Sequence, residues 1–586
     1  MLEKANEIFS EAKPNPLKQQ VISRKILARI TSSQLDSEQT KFAQELIGND
    51  LGWALREAAT ESPDLGQLLV DLEKFETKPS SSTTARLTSH FQNFYWSEDS
   101  EINELAALMD DHYRRSNIQL ELSETLMNRL IPQTTTNQEP VTDRIMGAQV
   151  RGQMQVTNKI ELDLIPDDEH LSFNFQYDGR VLSLTHAHAR GFTFNNLGNG
   201  LVNASKIIAV GEDGISTAPT RMTAFSRDRV EGIRGPFDDV PLVGMFSKRL
   251  AKQQHQSKRP QTKQIVEGKM RKEFRNRIDS ELETQIGRAN QLFQEIILQP
   301  LHTMELEPKV MKLKTTPTAI QVSYRLASLE QIGSNFSRPE TQPNSLASFQ
   351  LHRTAINNVI NRIQIGGKRF TPEEFMNHLG SLLGRDDLII PEEQNREDVS
   401  FEFASRDPVI LDFADAHLYI NLRIKRLQVG KSRRWKNLTI TTRYKPTPMG
   451  QRLYLKFDDE FGLRVGGRLR LADQLAVRTV FSALFKPDFQ FDILPPRMAN
   501  HPATQGMGIS QLQLAEGWLT VSMDQLPAYG KISDQGFELN GGTSHLLPRQ
   551  AEGESDRKSM EDREGLLERI SRRYRTHSST GSTNWK

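Results

Sequence analysis

The chain has 586 residues, 75 of them Lys or Arg and 74 Asp or Glu, for a formal net charge of +1. At about 100 to 200 residues per domain, that length implies roughly three to five domains or subdomains. The charge balance excludes a uniformly polyanionic or polycationic chain. Zero cysteines exclude disulfides, thiolate metal sites, iron–sulfur clusters and cysteine nucleophiles.

Residues 1–131 read as a helical region. Asn15-Pro16 opens a segment with Leu17, Val21, Ile22, Ile26 and Ile30 at helical spacing, and Phe42, Leu46, Trp53 and Leu55 continue it. Ser62-Pro63 starts another helix with Leu65, Leu68, Leu69 and Leu72. Residues 77–84 read as a Ser/Thr loop, and Ser100 precedes Ile102, Leu105, Ala106 and Met109. Residues 132–142, PQTTTNQEPVT, are a candidate linker.

From Ile145 to about Phe225 the apolar period changes from 3.6 to 2, the mark of an antiparallel meander with one buried face. Val150, Met154 and Val156 alternate with Arg151, Gln153 and Gln155, and Asp178-Gly179 is a hairpin signal. Helix returns over 240–300. Its stripe is Val266, Met270, Phe274, Ile278, Leu282, Ile286, Ala289, Phe293 and Ile296, and Pro300 stops it. This predicts an amphipathic helix over 262–298, laid along the preceding sheet.

A second unit is expected over 304–527. Alternation at Ile320, Val322, Tyr324 and Leu326 precedes two short helices, one with Ile356, Val359 and Ile360, the other opened by the capping box Thr371-Pro372-Glu373-Glu374. Strands follow from 399 to 494, with a short helix near 473–485 and a late hairpin at Leu512–Val521. Residues 530–586 read as a largely disordered tail with a short helix around Met560–Tyr574. The fold class expected is α+β: a helical N-terminal region, then two antiparallel curved-sheet-plus-long-helix units, 145–300 and 304–527.

Chemistry is sparse. The sequence has no GxGxxG or GxSxG, and Gly430-Lys431-Ser432 lacks the glycine that a phosphate loop needs five residues earlier, so it reads as a turn. His186 and His188 share one face of a strand, the spacing two metal ligands need, but they also share it with Leu182 and Leu184. The charge signal is stronger. Residues 248–277 carry eleven Lys/Arg against two acids, and a second cluster is Lys431-Ser-Arg-Arg-Trp-Lys436. Lys269, Arg271, Lys272, Arg275, Arg433 and Arg434 are the candidate anion-binding residues. The partners they fit are a lipid or an anionic membrane surface; no nucleic-acid module is recognisable.

The strand and Asn-containing amphipathic helix at 348–363, SFQLHRTAINNVINRI, precede another helix and long alternating strands. Together with the long helix beside the 145–225 meander, this resembles the tubular lipid-binding superfamily, which includes proteins of the bactericidal permeability-increasing type. The resemblance is architectural and spans roughly 145–527. It implies a long helix wrapped by a curved antiparallel sheet, an apolar tunnel, and non-enzymatic binding of an apolar or lipid-like ligand at the cell envelope. The tunnel candidates are Phe274, Ile278, Leu282, Ile356, Val359 and Ile360. The rival expectations are a structural or assembly protein without a small-molecule ligand, and a metal-dependent enzyme built on the His186/His188 strand. No cofactor is implied. No apolar run approaches the roughly 18 residues of a spanning helix. The opening MLEKANEIFSEAKPNPLKQQ lacks an apolar core, so a cytoplasmic chain is expected, or a periplasmic or envelope one if a leader has been removed.

Overall fold

The computed structural model describes residues 15–526, apart from 32–34, 36, 49, 78, 132–133, 212–213, 237–238, 240, 294–307, 364, 384–397, 483, 486–487 and 495. The tail and its candidate helix therefore lie outside the described residues.

Six helices come first: α1 (Pro16–Ile30), α2 (Ser37–Ile47), α3 (Asp50–Ala59), α4 (Leu65–Thr77), α5 (Ser81–Tyr95) and α6 (Ser100–Tyr113). Asn15 caps α1, its Oδ1 accepting from the Leu17 backbone N–H at 3.1 Å. The expected Ser/Thr loop is shorter than read. Ser80 and Thr83 form a reciprocal capping box, so these hydroxyls start α5 instead of separating helices. Leu68, Leu72 and Phe75 of α4 pack with Phe91 and Phe94 of α5 and Leu105 and Met109 of α6.

The helical region ends earlier than expected. Ile118–Ser123 is a strand, β1, with helix α7 (Glu124–Leu130) behind it. Its alternation is short and lies between two helices, which hid it. β1 is an inner strand of a six-stranded antiparallel sheet built with β8 (Pro308–Thr315), β9 (Ala319–Leu326), β10 (Ala347–His352), β19 (Met507–Ala515) and β20 (Trp518–Gln525). The bundle is fastened to this sheet by charge. Asp110 of α6 accepts from Arg114 at 3.0 Å and from Arg325 of β9 at 2.6 Å. Arg114, 2% exposed, also donates to the carbonyls of Ser328 and Gln331 and lies over the Phe91 ring.

The meander is longer than its alternation implied: β2 (Thr134–Ile145), β3 (Ala148–Leu164), β4 (Leu171–Ala189), β5 (Phe192–Gly211), β6 (Gly214–Thr217) and β7 (Arg221–Arg234). The candidate linker 132–142 is mostly strand β2. Its threonines favour the extended chain, and its Pro140 is tolerated because β2 is an edge. The Asp178-Gly179 hairpin is not there: β4 runs straight through it, paired with β3 and β5. The turns fall at Met146-Gly147 and Arg190-Gly191, where both residues of each pair have positive φ (48° and 85°, 49° and 82°).

Helix α8 (Pro241–Phe293) follows, 53 residues long with Pro260 inside it. The remaining elements are α9 (Arg353–Arg362), β11 (Arg369–Phe370), α10 (Pro372–Leu383), β12 (Val399–Phe403), β13 (Val409–Ala414), β14 (His417–Val429), β15 (Arg433–Met449), β16 (Arg452–Phe457), β17 (Arg464–Gly466), α11 (Leu471–Ser482), β18 (Asp488–Asp492) and α12 (Pro496–Ala499). The capping box at α10 forms as expected, with Thr371 and Glu374 bonding each other's backbone N–H at 2.7 and 3.1 Å. Strands β11–β18 make an eight-stranded antiparallel sheet. Its inner face (Phe401, Phe403, Ile424, Leu427, Ile440) is covered by Phe375 of α10 and by Val477 and Phe481 of α11. The α+β class holds, with open antiparallel sheets, but the helices on this second unit are short.

Candidate functional site

Helix α8 would extend about 80 Å at 1.5 Å per residue. Its second half lies on the meander. The inward residues of four strands, Val156, Tyr177, Val181, Val202, Ala204 and Ala224, bury Phe274 and Ile278 to 5% and 6% exposure. Met270 and Leu282 flank them. A Cβ at Gly200 of β5 would lie 2.7 Å from the Met270 methyl, so a larger residue there would displace the end of that flexible side chain.

Both edges of the meander grip the same helix. From β2, Glu139 accepts from Arg277 at 2.6 Å and Asp143 from Lys269 at 2.5 Å. From β7, the Ser226 N–H donates to Glu267 at 2.8 Å and the Asp228 carbonyl accepts from Arg259. Four strand spacings separate β2 from β7, roughly 19 Å if the sheet were flat, and the long side chains of the helix reach both edges. Beneath it, Asp279 accepts from Lys206 at 2.5 Å and from Thr220 at 2.7 Å. Burial works to raise the Asp279 pKa, but these two hydrogen bonds and the nearby cations hold it below the ordinary carboxylate value.

The structure places the six tunnel candidates apart. Phe274, Ile278 and Leu282 belong to the apolar contact between α8 and the meander. Val359 packs with Leu326, Ala355 and Leu351 around α9, and Ile356 and Ile360 are half-buried on the same helix. The side chains of Ala289 and Phe293, and all of Ile296, fall outside the described residues. The basic stretch is divided as well. Lys269 is one of the clamps, as are Arg259 and Arg277, while Arg271, Lys272 and Arg275 are exposed. Arg433 and Arg434 are exposed at the start of β15, beyond the turn at Gly430.

His186 and His188 point outward, on the meander face away from α8. His186 Nδ1 is 2.8 Å from Asn195 Oδ1, and His188 Nδ1 is 2.9 Å from Thr193 Oγ1. Among the described residues no group of three metal-ligating side chains includes them. The same outer face exposes Leu182, Leu184, Leu197, Leu201 and Phe225. The face that the two histidines share with Leu182 and Leu184 is therefore open to solvent.

The feature that sequence reasoning missed is the first part of α8, ahead of the stripe. Met245, Phe246 and Leu250 are 68%, 76% and 59% exposed, with Lys248, Arg249 and Lys252 among them. These apolar residues are spaced 1, 2, 6 and lie ahead of the stripe that begins at Val266. Helix α8 continues through Pro260, so this exposed apolar and basic start is joined without a break to the part held by the sheet. His255 anchors the junction, its ring stacked on Phe194 at 5.0 Å, and burial pushes its pKa down.

No protein-family model matches the sequence, and no curated protein sequence matches it. Among solved structures, a lipopolysaccharide binding protein aligns over 71% of this chain and 100% of its own, at 10% identity and a TM-score of 0.25. P47 from Clostridium botulinum A2 aligns over 70% and 97%, at 8% identity and a TM-score of 0.20. At such scores the likeness carries no functional weight.

Proposed function

We propose that this protein is a non-enzymatic binder of lipid-like partners and that it engages an anionic lipid surface through the start of α8. The exposed Met245–Phe246–Leu250 cluster, set among Lys248, Arg249 and Lys252, carries the reading. A helix with apolar side chains beside lysines and arginines lies in the plane of a membrane interface, its apolar groups in the acyl boundary and its cations on the headgroups. Each basic residue near such a surface contributes on the order of 1 kcal/mol. Full burial of an aliphatic or aromatic side chain adds about 1.5–3 kcal/mol. The edge clamps at Arg259, Lys269 and Arg277 hold the later part of the same continuous helix along the sheet.

Flotation with vesicles tests this. The full chain is expected to float with phosphatidylglycerol-containing vesicles and not with pure phosphatidylcholine. Phe246→Ser with Leu250→Ser should abolish flotation while leaving the circular dichroism spectrum unchanged. Equal binding to neutral vesicles, or an unaffected double variant, would count against the reading. The close packing of Met270, Phe274 and Tyr177 on the meander favours the rival of a structural or assembly protein with a filled interior. Denaturing extraction of native protein separates the two: stoichiometric lipid supports a carrier, and its absence leaves only surface binding or the structural rival.

A further inference from the structure

The second, eight-stranded sheet buries one face under α10 and α11, which leaves the alternate residues of β11, β12, β14 and β15 on the opposite face. That face is basic. Pairing sets Arg369, Glu402, Arg426 and Lys436 in one row across four strands. Ser400, Gln428 and Arg434 form the next row. Arg423 and Lys425 extend the field along β14, and Asp407 and Glu402 stand against them, paired at 3.6 and 2.6 Å. Arg434 and Lys436 are exposed and have no carboxylate partner among the described residues. Neutral hydrogen-bonding groups lie between the charges: Ser400 accepts from Arg369 at 2.6 Å, and Thr441 donates to Asn421 at 2.7 Å.

We propose that this face is a docking surface for an acidic polysaccharide, a chain with carboxylate or sulfate groups spaced by hydroxyls. The argument is independent of the lipid reading, because it uses another sheet and other residues. Three observations separate this partner from other polyanions. A bilayer would call for apolar side chains to insert, and none of the exposed large hydrophobics falls on β11, β12, β14 or on β15 before its last residue, Met449. Single-stranded nucleic acid binds by stacking bases on free rings. Here the Phe461 ring is covered by Arg464 at 3.8 Å and Arg443 at 4.7 Å, and Tyr419 stands edge-on to it. Sequence-specific reading of duplex DNA needs an element that enters a groove, and a broad sheet face supplies none. What remains is charge interleaved with hydroxyls and amides on a broad surface, which matches a hydrated, charged, hydroxyl-rich chain.

Titration of the full-length protein with chondroitin sulfate, followed calorimetrically, tests the proposal. Saturable binding is expected, weakening as salt screens it. Arg426→Ser with Arg434→Ser should weaken it by about tenfold or more, as loss of close charge pairs does. Lys258→Ser with Arg288→Ser, both exposed on α8, should leave it unchanged and serves as the control for general charge. An oligothymidylate of equal charge should compete poorly. No binding at low salt, equal loss in the α8 control, or full displacement by the oligothymidylate would each overturn the assignment, the last in favour of a nucleic acid.

Discussion

Replacing Phe274 by alanine decides whether the α8 stripe lines a binding space or forms a packed core. Phe274 is 5% exposed and its ring centroid lies 6.1 Å from that of Tyr177. If the contact is packed core, deleting the ring forfeits its transfer free energy and leaves a cavity that the clamped helix cannot close. Phe→Ala at such a site costs about 3–5 kcal/mol. Ile278→Val, 6% exposed in the same contact, removes one methylene and should cost about 0.5–1.5 kcal/mol. Global unfolding of a chain with several cores need not be two-state. Hydrogen exchange of β4 and β5 amides is therefore the appropriate readout, because it reports the opening free energy of this unit alone. The expected result is a several-hundred-fold faster exchange in these strands for Phe274→Ala, a few-fold effect for Ile278→Val, and no change in the strands of the second sheet. Unaltered exchange in Phe274→Ala would refute the packed-core account and revive a ligand space beneath the helix.

Two more substitutions probe what positions the site. At Gly152 a Cβ would lie 2.0 Å from the Leu184 carbonyl oxygen of β4. Backbone cannot yield as a side-chain end can, so Gly152→Ala should open the β3–β4 pairing and lower the unfolding midpoint of the meander; retained exchange protection at Leu184 would contradict this. At Asp110, burial works to raise the pKa, but Arg325 and then Arg114 outweigh it and hold it below the ordinary value. A carboxylate with a depressed folded pKa stabilises the fold above its unfolded pKa of about 3.9, and the contribution is lost as pH falls through the folded value. Asp110→Asn leaves two buried guanidiniums without their shared anion. It should cost about 3 kcal/mol at neutral pH and flatten the acid limb of the stability profile, and an unchanged acid limb would show that another group sets it.

Periodicity exposed most of the fold. The 3.6-residue stripe placed α8 and the period-2 runs placed the meander, because both report which side chains are buried. The errors came where local chemistry was read without its partner. Asp178-Gly179 has turn composition, yet β4 is held straight by neighbours on both sides, and the φ-positive pairs at Met146-Gly147 and Arg190-Gly191 make the turns instead. Ser80 and Thr83 looked like a loop because a hydroxyl that caps a helix and one that breaks a helix are the same residue. Residues 134–142 looked like a linker because an exposed edge strand has no buried face to alternate with.

The charge pattern was legible in amount and illegible in use. Eleven bases in thirty residues marked α8 as a cationic surface, but Arg259, Lys269 and Arg277 turn their charge inward to acids and carbonyls on the sheet edges. The Lys269 and Arg277 clamps depend on Asp143 and Glu139, more than a hundred residues earlier in the chain, and the Arg259 clamp on Asp228, 31 residues earlier, so no local window contains both partners. The opposite error befell the second sheet. Its bases are spread over three strands, Arg369 on β11, Arg423, Lys425 and Arg426 on β14, and Arg433, Arg434 and Lys436 at the start of β15, so the only cluster that stood out in sequence was 431–436. Strand pairing gathers them into rows. A cluster in sequence was therefore partly internal wiring, while the basic face brings Arg369 beside the bases of β14 and β15, more than fifty residues later in the chain. This is why the two surfaces call for separate variants: Phe246 and Leu250 test whether the helix enters a lipid interface, and Arg426 and Arg434 test whether the sheet holds a hydrated polyanion.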